Sequence, residues 1–302
     1  MIDFIRFIDR FEQLKSSSPC SSNIIESRIN DLYIRVYEPK TVVDEVLIVY
    51  HGGGVNADAG YDILARHLSH DLKICVCLVD IRGHGRSAGI RGDASSPAQI
   101  WRDVDAVIDY FRISNADARI HLLGHSSGAG MLINYLTQHP ASRTIESLFL
   151  LAPALGPFAP SNLNRDYSVP FASINRWAFI INGMSAGFLC GRRTGVKLNF
   201  PNDIIHARPD FVQRYSVNMA NALTPGDPVS QLKALSVPVT VMLAEQDELF
   251  DVSRMDAFFR RCGNPNLSSR VVEGSTHLDC LFALTDIVRE HFTWLASITH
   301  EK

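Results

Sequence analysis

The 302-residue sequence has no apolar run near the ~18 residues that a membrane-crossing helix requires. It therefore presents no spanning segment. Its six cysteines (Cys20, Cys75, Cys77, Cys190, Cys262 and Cys280) form no C-x-x-C pair and no metal-ligand spacing, so no metal site is expected. There is no excess of positive charge: the formal net charge is −3, and no overall basic field gathers nucleic acid. The opening stretch MIDFIRFIDRFEQLK lacks the basic start, unbroken apolar centre and small-residue cleavage site of a secretory signal. Together these absences predict a reducing, cytoplasmic setting. No internal repeat is visible, and SSSPCSS (Ser16–Ser22) reads as a surface connection.

What is present is an ordinary globular composition, 46% hydrophobic and 20% charged, on a chain long enough to bury a large core. In the opening stretch, Ile2, Ile5, Ile8, Phe4, Phe7 and Phe11 recur at helical spacing between charges. This predicts a short amphipathic helix packed on the domain or a partner. Strand-length apolar runs follow: EVLIVY, KICVCLVD, RIHLLG, SLFLLAP, PVTVML and SRVVEG. Helical patterns separate many of them, at Tyr61–His70, Pro97–Phe111, Ser127–His139 and Leu281–Leu295. LYIRVYEP (Leu32–Pro39) alternates and reads as an antiparallel edge, and Cys75 and Cys77 read as buried thiols. The alternation predicts an α/β fold with a mostly parallel sheet covered on both faces, its ligand at the carboxyl ends of the strands. The pattern stops between Leu155 and Leu232. That segment reads as a helical cap, giving core residues 1–154, cap 155–232 and core 233–302.

The most informative stretch is LLGHSSGAG, Leu122 to Gly130, where a strand turns into a helix. A serine hydroxyl needs an exposed position and a nearby base to become a nucleophile. A sharp strand-to-helix turn supplies the exposure, provided the residues two before and two after are small. Here those are Gly124 and Gly128, and the apex is Ser126. The amide of Ser127 then points to where an oxyanion would form, at the positive end of a helix.

Two partners follow later strands. Asp247, in AEQDELF, comes just after PVTVML, with Glu245, Glu248 and Asp251 as local competitors. His277, in EGSTHLD, comes just after SRVVEG. The chain order Ser, Asp, His suits a nucleophile at Ser126, a general base at His277 and an orienting acid at Asp247. The glycines of HGGG (His51–Gly54) supply a second oxyanion donor, with Gly53 N–H the first choice and Gly52 the second. His51 reads as a structural hydrogen-bonding residue. In DIRGHGRSAG the glycines Gly83, Gly85 and Gly89 do not fit a dinucleotide loop. There His84 is expected to be structural, with Asp80 and Arg82 tying the loop down.

HGGG-x6-Y-x2-L-A-x2-L (His51–Leu68), DIRGHGRSAG, LLGHSSGAG, AEQDELF and EGSTHLD together resemble the α/β-hydrolase superfamily. The closer resemblance is to its monoacylglycerol lipase and lysophospholipase-like branch. The resemblance implies an eight-stranded, mostly parallel sheet with a cap inserted after the sixth strand. It also implies ester hydrolysis without a cofactor, on a small or medium acyl ester such as a monoacylglycerol or a lysophospholipid. A thioesterase, lactonase or acyltransferase would share the same triad, and a ligand-binding receptor with slow turnover would share the fold. In the cap, Phe158, Phe171, Trp177, Phe179, Met184 and Phe188 are expected mostly to pack its own small core. Arg192, Arg193 and Lys197 form a basic cluster, read as a solvated face with transient contact to a membrane surface as the alternative.

Overall fold

The computed structural model describes residues 2–19, 23–139, 144–160 and 170–299. Cys20 and cap residues 161–169 lie outside the described residues. In chain order the first part contains α1 (Phe4–Ser17), β1 (Asn23–Ile29), β2 (Leu32–Glu38), β3 (Glu45–Tyr50), α2 (Tyr61–Leu72) and β4 (Cys75–Val79). It continues with α3 (Pro97–Ser114), β5 (Arg119–His125), α4 (Ser127–Gln138) and β6 (Ser147–Leu151). The inserted segment holds β7 (Ala172–Ile174), α5 (Arg176–Met184), β8 (Thr194–Leu198), α6 (Asn202–Ala207), β9 (Arg214–Ser216) and α7 (Val217–Leu223). After α8 (Pro228–Ala234) come β10 (Val239–Ala244), α9 (Val252–Arg261), β11 (Leu267–Val272) and α10 (Thr285–Thr299).

The main sheet has eight strands in the order β1-β2-β4-β3-β5-β6-β10-β11. Only β2 runs against its neighbours; β4, β3, β5, β6, β10 and β11 pair in parallel. Every residue of β4, β6 and β10 is buried, as strands covered on both faces must be. β2 is antiparallel as expected but is not the edge. β1 lies outside it, a mostly exposed strand, NIIESRI, whose charged and polar residues hide a strand period.

Reversal of strand order around β3 opens a crevice at the carboxyl ends of β3 and β5. The inserted segment covers it as a cap. The expectation of a helical cap is corrected: β7, β8 and β9 form a three-stranded antiparallel sheet alongside the helices. These strands are three to five residues long, too short to declare a period of two. The expectation for the cap aromatics also needs correction. Phe171 and Phe179 pack inward, but Trp177, Met184 and Phe188 are 72%, 86% and 91% exposed, and Phe158 is exposed too. In α5 the buried positions are Ala178 and Asn182, one turn apart, which turns the large apolar residues to solvent.

Helix α1 packs on the domain, as its pattern predicts. Ile2 and Phe4 are buried, and Phe7 stacks on Phe282 with ring centroids 5.5 Å apart. Arg6 donates to Asp279, to Gln246 and to the Gly274 carbonyl. Cys75, Cys77, Cys262 and Cys280 are buried free thiols, and Cys190 is also free. No helix among the described residues is long and apolar enough to cross a membrane.

Candidate active site

The turn between β5 and α4 is strained at its apex, and it sets Ser126, buried under the cap, against the cap cavity. Ser126 has φ 52° and ψ −113°, a left-handed φ that side chains rarely adopt. The flanking glycines explain how the turn fits. A Cβ on Gly124 would lie 2.5 Å from the backbone of Gly128 and Ala129, and one on Gly128 would lie 2.6 Å from the carbonyl oxygens of Tyr50 and His51. Both obstacles are backbone and do not yield. Gly128→Ala is therefore expected to lose at least about 1–3 kcal/mol of stability, read from urea unfolding, along with its activity.

The structure brings Ser126, His277 and Asp247 together. His277 Nε2 lies 3.1 Å from Ser126 Oγ, and His277 Nδ1 lies 2.8 Å from Asp247 Oδ2. All three residues are buried. Asp247 follows β10 by a short turn, and its Oδ1 accepts the backbone N–H groups of Leu249 (2.8 Å) and Phe250 (3.0 Å). Oδ2 is thereby left for the imidazole. Nδ1–H donates to it, and Nε2 faces the serine as an acceptor.

The competing acids are occupied elsewhere. Glu245 accepts the Gly274 N–H, and Asp251 caps α9 by accepting from Arg254 N–H. Glu248 bridges two segments: its Oε1 accepts the Asp3 N–H and its Oε2 the His277 N–H. It holds the histidine loop without touching the ring.

Burial alone would lower the His277 pKa. The charge and hydrogen bond of Asp247, with the more distant charge of Glu248, outweigh it and leave the pKa raised above the ordinary 6.5. The imidazole acts as a base only when neutral. The acid limb of a kcat/KM–pH profile is accordingly expected above 6.5, and Asp247→Asn should move it downward.

Gly53 and Ser127 both line the cap cavity beside Ser126. Among the described residues neither backbone N–H has an acceptor. Gly52 is different, because its N–H donates to the Tyr61 hydroxyl at 2.8 Å. The N–H of Gly52, the second choice, is thus already committed, and that of Gly53, the first choice, is not.

Two hydrogen-bonded chains brace the site. In the first, Tyr61 O–H donates to His125 Nδ1 (2.7 Å), and His125 Nε2–H donates to the His277 carbonyl (3.0 Å). In the second, the cap residue Tyr215 accepts the Gly54 N–H (2.6 Å) and donates to His84 Nε2 (2.9 Å). His84 Nδ1–H reaches the Arg82 carbonyl. His51 sits beneath the loop between the Gly52 carbonyl and the Ile81 N–H. Burial drives the pKa of His51 to about 4. Burial, aided by a neighbouring histidine, drives His84 and His125 to about 3. All three are neutral structural groups at neutral pH. Asp80 accepts the N–H groups of Ala57 and Arg86, and Arg82 pairs with Asp103, so that loop is tied down as expected. No cluster of metal-ligating side chains occurs among the described residues.

Residues 41–279 match the family described as serine aminopeptidase, S33. The chain belongs to this family of α/β hydrolases. The S33 chain is 24% identical over 285 residues to the monoglyceride lipase homolog of monkeypox virus, covering 91% of this chain and 98% of that one. It is 30% identical over 126 residues to protein phosphatase methylesterase 1 of Candida albicans, covering 42% of this chain but only 34% of that protein's length. Among solved structures it superposes on a soluble variant of monoglyceride lipase from Saccharomyces cerevisiae with a TM-score of 0.63. That superposition has 16% identity and covers 92% of this chain and 96% of the other.

Tyr215 is the site residue that sequence reasoning missed outright: it lies in the cap, outside any motif. Tyr61 and His125 sit inside quoted motifs, but nothing in the sequence tells that their side chains meet behind the His277 loop.

Proposed function

We propose that this S33-family chain hydrolyses a carboxylic ester through an acyl-enzyme on Ser126. Ser126 Oγ attacks the carbonyl carbon as its proton passes to His277 Nε2. Asp247 holds the imidazole tautomer and stabilises the imidazolium. The tetrahedral oxyanion is held by the N–H groups of Gly53 and Ser127. Its collapse breaks the ester C–O bond, and His277 returns the proton to the departing alcohol. Water, deprotonated by the same imidazole, then releases the acid and frees the serine.

The observation that carries this reading is the hydrogen-bonded order Ser126–His277–Asp247 beneath an apolar cavity. The cap cavity measures about 330 Å³, and none of its lining residues is charged. An aminopeptidase must hold the free α-ammonium of its acyl-side residue. Burying that charge without a carboxylate is costly, so an acyl chain suits the cavity better than an aminoacyl group. We assign residues 155–232 to the cap. Its outward face of Trp177, Met184 and Phe188 offers an apolar surface for contact with lipid. The basic cluster contributes less than its sequence suggests, because Arg192 is paired with Asp93.

The test is a substrate panel of p-nitrophenyl esters from acetyl to dodecanoyl, a monoacylglycerol, a lysophospholipid and aminoacyl p-nitroanilides. Turnover of esters with none of the anilides supports the proposal. Faster turnover of the anilides would overturn it.

A further inference from the structure

A second apolar cavity lies beneath α1, bounded by Phe4, Phe7, Ile8 and Phe11 on one side and by Ile204 and Phe211 from the cap on the other. Its volume, about 330 Å³, equals that of the cap cavity. Between the two lies a narrow space of about 30 Å³ against Ser126 and His277. This neck shares Gly53, Ser126 and Phe171 with the cap cavity and Phe4, Val55 and Leu278 with the cavity beneath α1. The three spaces share walls, and the middle one lies against the nucleophile.

The chemistry gives this arrangement a direction. In the acylation step the departing oxygen takes its proton from His277 Nε2, so the alcohol must lie on the His277 side of Ser126. His277 lines the neck and not the cap cavity. The carbonyl oxygen must point to the N–H groups of Gly53, at the junction of neck and cap cavity, and of Ser127, which lines the cap cavity and not the neck. Resting on the ester-hydrolase reading, we infer that the cavity beneath α1 is the alcohol subsite, and that it takes an apolar alcohol of several carbons.

The walls decide for an apolar alcohol. The charged groups at the rim are already engaged: Asp58 with Arg35, and Arg208 with Asp210. Glu12 faces solvent. A phosphate-bearing or polyhydroxy head group would lose its water without gaining a free partner there. The neck is about a tenth of the volume of either cavity, so a chain enters when Phe4 or Leu278 swings aside. The start of α1 stays in place meanwhile. Asp3 N–H is held by Glu248, and Arg6 by Asp279, Gln246 and the Gly274 carbonyl. The same loops carry Asp247 and His277, so α1 forms a wall of the subsite anchored to the reacting groups.

The experiment is a two-way ester series on the full chain. One arm fixes the acyl group as butanoyl and lengthens the alcohol from methyl to octyl. The other fixes the alcohol as ethyl and lengthens the acyl group from acetyl to decanoyl. Ala59→Phe narrows the cavity beneath α1, and Ile174→Trp narrows the cap cavity. In the wild type, kcat/KM should rise about tenfold or more along the alcohol series. Ala59→Phe should abolish that rise while leaving methyl butanoate and the acyl series unchanged. Ile174→Trp should shorten the preferred acyl chain and spare the alcohol series. If Ala59→Phe does not fold, Ile8→Trp, on the half-exposed wall of the same cavity, gives the same readout. An alcohol dependence that survives filling, or an effect on acyl length instead, overturns the assignment while methyl butanoate turnover keeps the hydrolase reading standing. No turnover of any ester by folded protein removes both.

Discussion

Ser126→Ala is expected to lower kcat for ester hydrolysis by about a millionfold, to the residual rate that binding and the oxyanion donors sustain. The alanine keeps the strained turn and the flanking glycines, and removes only an oxygen whose hydrogen-bond partner is His277. The unfolding midpoint should change little, because no other buried group loses a partner. His277→Ala should cost a similar factor, and the double variant little more, because base and nucleophile act as one unit. A kcat near wild type in either variant would mean that the nucleophile lies elsewhere.

Asp247→Asn is expected to lower kcat about ten-thousandfold. The reason is the hydrogen bonding of the carboxylate. Its Oδ1 is claimed by the N–H groups of Leu249 and Phe250, so the asparagine oxygen must stay there. The new NH2 then faces His277 Nδ1, which can pair with it only by giving up its proton. That places the proton on Nε2, where it faces Ser126 and leaves the serine without a base. The change is nearly isosteric, so folding is preserved while the tautomer is wrong. Glu248→Gln is the matched control. Glu248 accepts backbone N–H groups of Asp3 and His277 and does not reach the ring, so its amide should cost far less. A larger loss in Glu248→Gln or Asp251→Asn than in Asp247→Asn would mean that the orienting acid is misassigned.

The site is legible in the sequence to the extent that local covalent spacing builds it. Gly124, Ser126 and Gly128 define the turn by their own spacing, and the structure shows the backbone contacts that demand both glycines. Asp247 and His277 come within reach because each follows a strand of one sheet, which the apolar runs declare. Legibility fails where side chains meet across long separations. The sequence ranks Gly53 above Gly52 without showing a contact that separates them, and the Tyr61 hydroxyl supplies that contact. Tyr215 braces the glycine loop from the cap, a contact without a sequence signature. The cap strands are too short to show a period, and β1 is too polar. The outward face of α5 is not legible because its aromatic and aliphatic residues have the look of a core, while Ala178 and Asn182 occupy the inside.

The central claim is that Ser126 is an activated nucleophile. The most direct measurement is the intact mass of the protein after incubation with a fluorophosphonate, followed by peptide mapping, in the wild type and in Ser126→Ala. The account predicts a single adduct on Ser126 that the variant does not form. A folded wild-type protein that takes up no label, or takes it up on Ser127 or another residue, would contradict it.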